Sequence, residues 1–147
     1  MPDIREIRED ELESLLSLYQ FLNLDDPKMD IDDQLKKHWQ DIYMDPGLKY
    51  LVAEENGQLV SSCCLAVIKN LTRSARPYGL IENMVTHPRY RKKGYGTIIL
   101  KHAVEIARKE NCYKVMLLTS RKDEATWRFY EAAGFNRGDK TGFIVRF

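Results

Sequence analysis

Apolar residues along this chain alternate over short stretches and recur every three or four residues over longer ones. Ile4-Arg5-Glu6-Ile7-Arg8 has the period of a short strand. Leu12, Leu15, Leu16, Tyr19 and Leu22 mark one face of a helix that Asp10 would cap, with Glu13 closing a capping box. Asn23 to Lys28 reads as a loop. A second helix carries Leu35, His38, Trp39, Ile42 and Tyr43 on its stripe and ends before Asp45-Pro46-Gly47. Tyr50–Ala53 and Gln58–Ile68 flank Asn56-Gly57, a pair that accepts the positive φ angles of a hairpin turn. Tyr78–Thr86 predicts another strand. Gly94–Glu110 predicts a helix with Ile99, Leu100, Ala103, Ile106 and Ala107 inward and Lys101, Glu105, Arg108 and Lys109 outward. Lys114–Thr119 predicts a buried strand, and Asp123 can cap a helix that stops at Gly134. Thr141–Phe147 predicts a strand that closes the sheet. The order β-α-α-β-β-β-α-β-α-β describes a mixed sheet flanked by helices, in the α+β (or α/β) class.

Composition narrows the picture. With 147 residues, 44% hydrophobic and 31% charged, the chain suits one globular domain over 1–147 with a core of its own. No apolar run approaches the ~18–20 residues of a membrane span, and Met1-Pro2-Asp3-Ile4-Arg5-Glu6 does not resemble a signal peptide. Cys63, Cys64 and Cys112 lack metal-ligand spacing and read as reduced thiols of a cytoplasmic protein with no metal. The net charge of +1 hides an asymmetry: residues 1–33 hold eleven acids against three bases. Between Asn56 and Val104 stand eight bases and a single acid, Glu82. Such a segment holds an anion or is a solvated basic face.

Arg91-Lys92-Lys93-Gly94-Tyr95-Gly96 lies between a predicted strand and a predicted helix. Its two glycines remove β-carbons that would keep a ligand from the backbone, and the helix N-terminus adds roughly half a positive charge. No Gly-Lys-Ser/Thr follows, so this is not a Walker loop. The dinucleotide fingerprint is also missing, for want of a third glycine and a correctly spaced acid. Downstream stands Arg128-Phe129-Tyr130-Glu131-Ala132-Ala133-Gly134-Phe135, which taken alone is an amphipathic helix end.

In this order and spacing, Arg91-x-x-Gly94-x-Gly96 and Phe129-Tyr130-x-x-x-Gly134-Phe135 resemble the GNAT superfamily of acyl-CoA-dependent N-acyltransferases. The resemblance covers nearly the whole chain and is densest from Ile81 to Phe135. It implies that the pyrophosphate of acetyl-CoA (leaving as coenzyme A) rests on Arg91, Lys92, Lys93, Gly94, Tyr95, Gly96 and Thr97. It also implies that Met84 and Val85 lie on a splayed strand that pairs with the pantetheine arm, one backbone N–H facing the thioester carbonyl. Tyr130 matches the family tyrosine that hydrogen-bonds the departing thiolate, and Glu82 the acid that serves as base through water in several branches. Against these stand plainer readings: Tyr130 as a packed aromatic and Glu82 as an ion-paired surface acid. His87 and Cys112 rank lower as reactive groups. Asp123 departs from the family, which often has asparagine there on the cofactor.

The acceptor is less defined. Asn23-Leu24-Asp25-Asp26 is acidic and suits a cationic amine, small or peptidic. Ile81-Glu82-Asn83 and Cys112-Tyr113-Lys114-Val115 look like the glucosamine-phosphate N-acetyltransferase branch, in which Arg73, Arg76 and Arg121 would meet a sugar phosphate; Asn83 stands where that branch usually has aspartate. The expectation is an N-acetyltransferase acting on an amine or amino sugar, with a homodimer allowed and neither nucleic acid nor membrane as partner. A non-catalytic acyl-CoA sensor and a nucleic-acid module using Lys69 to Lys101 are the alternatives of another class.

Overall fold

The computed structural model describes residues 2–147. Five strands form one sheet in chain order: β1 (Asp3–Glu6), β2 (Leu48–Glu55), β3 (Gln58–Ile68), β4 (Tyr78–Thr86) and β5 (Val115–Leu117). The first four are antiparallel and β5 runs parallel to β4. Two helices, α1 (Leu12–Tyr19) and α2 (Asp33–Tyr43), precede β2. A single left-handed turn, α3 (Thr72–Ala75), joins β3 to β4. Helix α4 (Tyr95–Lys109) crosses from β4 to β5, and α5 (Glu124–Ala132) follows.

Turn chemistry sets several of these boundaries. Asn56 and Gly57 take φ of 53° and 78°, the paired positive angles of a tight hairpin. Asp123 caps α5 by accepting from Thr126 N at 2.8 Å, and Gly134 ends it at φ 99°.

The sheet is packed on both faces. Leu51, Val60, Leu65 and Ile81 meet Ile99, Leu100 and Ala103 of α4 on one side. Ile7, Val52 and Leu59 meet Leu15 and Trp39 on the other. Trp39 also donates from Nε1 to Glu9 O at 2.8 Å, pinning α2 to the chain ahead of α1.

Four expectations are corrected. Glu9–Glu11 form a 3₁₀ turn before α1, and Glu11 supplies the cap by accepting from Arg8 N at 2.8 Å; Asp10 and Glu13 do not. His38 is exposed, because the buried stripe of α2 narrows to Trp39 with Leu35 and Ile42 beside it. β5 pairs over three residues, since it diverges from β4 after Ile81–Leu117. Thr141–Phe147 forms no strand and is exposed throughout.

Arg5 binds the Glu11 carboxylate through both terminal guanidinium nitrogens, at 2.9 and 2.7 Å, and also pairs with Glu54. Hydrogen bonding from Arg5 holds the Glu11 carboxyl below its ordinary range against the opposing effect of burial. A depressed pKa stabilises the fold above the unfolded value of about 4.3, and that contribution fades as pH falls through the folded pKa. Glu11→Gln should therefore cost roughly 1.5–3 kcal/mol at neutral pH. Melting curves of both proteins from pH 7 to 3 should converge in acid; a constant gap would mean that Glu11 acts by packing.

Candidate active site

The chain leaves β4 through His87 and a 3₁₀ turn, Pro88–Tyr90, before reaching the basic loop. His87 Nδ1 accepts from Arg89 N at 3.2 Å, and its ring meets Phe21 edge-on at 4.8 Å, so this imidazole is a turn-former. Arg91 folds back to donate from Nε to Thr86 O at 3.1 Å. Lys92 and Gly94 both have positive φ, 61° and 91°. The two left-handed residues turn the backbone into the first turn of α4. The helical ladder starts with Ile98 N donating to Gly94 O at 3.1 Å, so the preceding amides have no helical acceptor. A β-carbon on Gly94 would meet nothing within 4 Å. The loop thus offers free amides, an open approach, and the positive end of a 15-residue helix. These features fit a diphosphate. Lys93 lies 5.1 Å from the Tyr90 ring centre, and Arg91, Lys92 and Lys93 are all exposed.

The two ends of the glycine motif do different work. Gly96 is buried, and a β-carbon there would fall 2.8 Å from Phe129 Cζ. Its missing side chain makes room for α5, not for a ligand. Tyr95 likewise turns its ring into the core, so only its backbone faces the loop. Thr97 follows, half-buried, in the first turn.

β4 is distorted where the sequence analysis placed the splayed strand. Cys64 pairs with Glu82 and Ser62 with Val85, so two residues of β4, Asn83 and Met84, stand opposite Cys63 alone. Asn83 has φ 56°, the signature of a β-bulge. On its other edge β4 pairs with β5 only through Gly79–Ile81. From Glu82 onward that edge has no strand paired to it, the arrangement that β-addition uses. The bulge also reverses side-chain parity. Ile81 and Met84 both reach the α4 side, Met84 with its methyl near Gly96, while Glu82 lies opposite Cys64. Val85 is buried, and its carbonyl accepts from Ser61 Oγ at 2.9 Å.

Tyr130 lies on α5 with its ring edge-on to Phe129 at 4.9 Å and to Phe135 at 6.4 Å. Burial pushes its hydroxyl above the ordinary tyrosine value, with Cys63 and Glu82 adding to the rise and Arg121 opposing it. Tyr130, Glu82 and Arg121 therefore share one electrostatic neighbourhood, at the end of the sheet where β4 and β5 part. Asp123 is committed to its cap, with both carboxylate oxygens engaged by Thr126, at 2.8 and 3.1 Å.

Not every candidate converges. Arg76 donates to Asn111 O at 3.1 Å and Cys112 O at 3.0 Å, and Arg73 stacks 5.9 Å from the Tyr113 ring centre. Both sit at the Tyr78 end of β4, whereas Arg121 follows β5 toward the opposite end. The three arginines cannot bind one phosphate. Cys112 has its thiol pushed up by burial, then by Glu110, away from the thiolate form that nucleophilic chemistry uses. Asn23–Asp26 is exposed loop. Two surface clefts, of about 630 and 240 Å³, are lined by residues around α2 and contain none from β4 or the basic loop.

The structure adds residues on the α1 side of the bulge that the sequence showed only as core. Tyr19 and Tyr50 come together there with Cys64 and Asn83. Burial lifts the Tyr50 hydroxyl to about 12 and the Cys64 thiol to about 11, so both stay protonated at neutral pH. The available signal was a tyrosine in each apolar pattern, whose hydroxyl a core position does not need.

Comparison with known proteins agrees with this geometry. A solved structure from Agrobacterium tumefaciens strain C58, assigned as an acetyltransferase, is 44% identical, with 98% of this chain and 99% of that one covered at a TM-score of 0.92. A Trypanosoma brucei acetyltransferase structure is 27% identical over 99% of this chain and 100% of that one, at a TM-score of 0.83. The glucosamine 6-phosphate N-acetyltransferase of Trypanosoma brucei brucei is 35% identical over 92 residues, 63% of this chain and 60% of that protein's length. The chain thus spans less than two thirds of that curated relative. The acetyltransferase (GNAT) family pattern matches residues 5–135, which takes in the end of β1, the bulge, the loop and Tyr130, and the chain belongs to that family of acetyltransferases.

Proposed function

We propose that this protein moves an acetyl group from acetyl-CoA to a primary amine by direct attack within a ternary complex. The observation that carries this reading is the junction of three features at one end of the sheet. They are the free amides before Ile98, the open edge of β4 beyond Ile81, and the Tyr130 hydroxyl. Acetyl-CoA supplies the activated acyl carbon. Lys92, Lys93 and the amides of Gly94 through Thr97 hold its phosphates, Arg91 braces the loop through Thr86, and the Met84–Val85 backbone aligns its arm.

Tyr130 donates a hydrogen bond to the departing sulfur. Complete proton transfer from an ordinary tyrosine to a thiolate is uphill by about 2 kcal/mol, and burial makes Tyr130 a weaker acid still. Its role is therefore stabilisation of developing charge. Glu82, exposed beside the bulge, positions a water that takes the proton as the attacking nitrogen becomes acidic. Glu82→Gln should be slow at neutral pH and recover partly in alkaline buffer. Profiles of kcat/KM from pH 6 to 10 that superimpose would remove Glu82 from the reaction.

The acceptor reading favoured second is an amino-sugar phosphate, on the strength of the trypanosomal relative and of Arg121 near Tyr130. A screen of acetyl-CoA against simple amines, amino sugars, their phosphates and peptides, followed by thiol release, tests both readings. No thiol release with any amine would overturn the proposal.

A further inference from the structure

Ser61 and Ser62 are neighbours on β3 and the two fully buried polar residues among those described, yet the fold uses them differently. Ser62 Oγ finds no hydrogen-bond partner among the described residues. Ser61 Oγ has two: it donates to Val85 O at 2.9 Å and lies 2.8 Å from Thr86 Oγ1. A carbonyl only accepts, so the single Ser61 proton goes to Val85, and the Thr86 hydroxyl must donate to Ser61. One buried oxygen thereby fixes both the Val85 carbonyl and the Thr86 side chain. A buried hydroxyl costs free energy unless it is hydrogen-bonded, and Ser61 meets that condition by gripping the two residues that end β4.

Thr86 carries that grip outward. His87 N donates to Val60 O at 2.8 Å, so the backbone of His87 points at β3. Strand backbone alternates, which turns the Thr86 carbonyl to the opposite edge, where no strand is paired beyond Ile81. There Arg91 Nε meets it at 3.1 Å. Thr86 is therefore held from the core through its hydroxyl and from the basic loop through its carbonyl. We propose that Ser61 is a positioning residue for coenzyme A, setting through Thr86 the angle at which Arg91 and the loop amides meet the diphosphate. This role rests on the acetyl-CoA reading given above. Ser62 is its internal control, since the same atom can be removed from the same strand at the same depth with no partner lost.

Calorimetry with coenzyme A is the measurement. Ser61→Ala should raise Kd about 3–10-fold, the scale of one buried hydrogen bond, and in turnover the loss should lie in KM for acetyl-CoA rather than in kcat. Thr86→Val keeps the shape of the side chain without its hydroxyl and should reproduce the loss, while Thr86→Ser should recover most of it. Thr86 is half-buried, so this pair decides the matter even if Ser61→Ala does not fold. Joining Ser61→Ala to Thr86→Val should weaken binding no further than the worse single change, because both cut one link. Ser62→Ala should bind coenzyme A like the wild type. Unchanged Kd in Ser61→Ala or Thr86→Val, an equal loss in Ser62→Ala, or additive losses in the double variant would each overturn the role of Ser61 alone. A wild-type chain that binds no coenzyme A would instead overturn the acetyl-CoA reading, and this role with it.

Discussion

Replacing Tyr130 with Phe is expected to lower kcat on the order of 10–1000-fold while leaving coenzyme A affinity within about twofold. The ring's contacts with Phe129 and Phe135 survive the change, so the fold and α5 should be unaffected. Only the hydroxyl is lost, and it has no ladder or capping role. The pH dependence has a definite sign. Burial raises this hydroxyl's pKa, so the wild-type donor stays protonated across neutral pH and its contribution should not fall off before strongly alkaline conditions. Steady-state kinetics with calorimetry of coenzyme A binding separates the alternatives. Equal kcat with a raised KM for acetyl-CoA would assign Tyr130 to packing.

Gly94→Val should weaken acetyl-CoA binding by about 10–100-fold, the scale of one charge-assisted hydrogen bond lost from the cradle. Two effects act together. A β-branched residue is disfavoured at φ 91°, which shifts the loop backbone, and the new side chain enters the open approach to the amides. Since a β-carbon at this position meets no protein atom within 4 Å, the core should not register the change. Calorimetry on a protein with wild-type circular dichroism is the measurement. An unaltered Kd would move the phosphates elsewhere. Gly96 would give a misleading answer, because a side chain there strikes Phe129 and damages packing first.

What was legible in the sequence follows from how local each cause is. Asn56-Gly57, Asp123 and Gly134 act within a few residues, and each does what its chemistry demands. The basic glycine loop was legible for the same reason. The distinction between Gly94 and Gly96 was not, since it depends on Phe129, which approaches from 33 positions away in the chain. The α1 cap was missed because several acids crowd the same turn, and only the fold shows that Glu11 alone also meets Arg5. Arg73, Arg76 and Arg121 are indistinguishable as charges; which end of β4 each occupies is a matter of topology. Thr141–Phe147 shows the limit of periodicity. Alternation says that a segment can pair and says nothing about whether it does, and this one stays unpaired and exposed.

The extra residue in β4 also constrains how this chain can change over evolutionary time. What matters at Asn83 is its conformation more than its presence. Were residue 83 to become extended, plain alternation would put Met84 on the face of Glu82 and Val85 on that of Ile81. Its deletion would keep both faces, because Met84 would then stand two places from Ile81 and Val85 two from Glu82. The layout of the candidate site therefore hangs on one backbone angle, and a substitution that rejects a positive φ threatens it more than the loss of a residue.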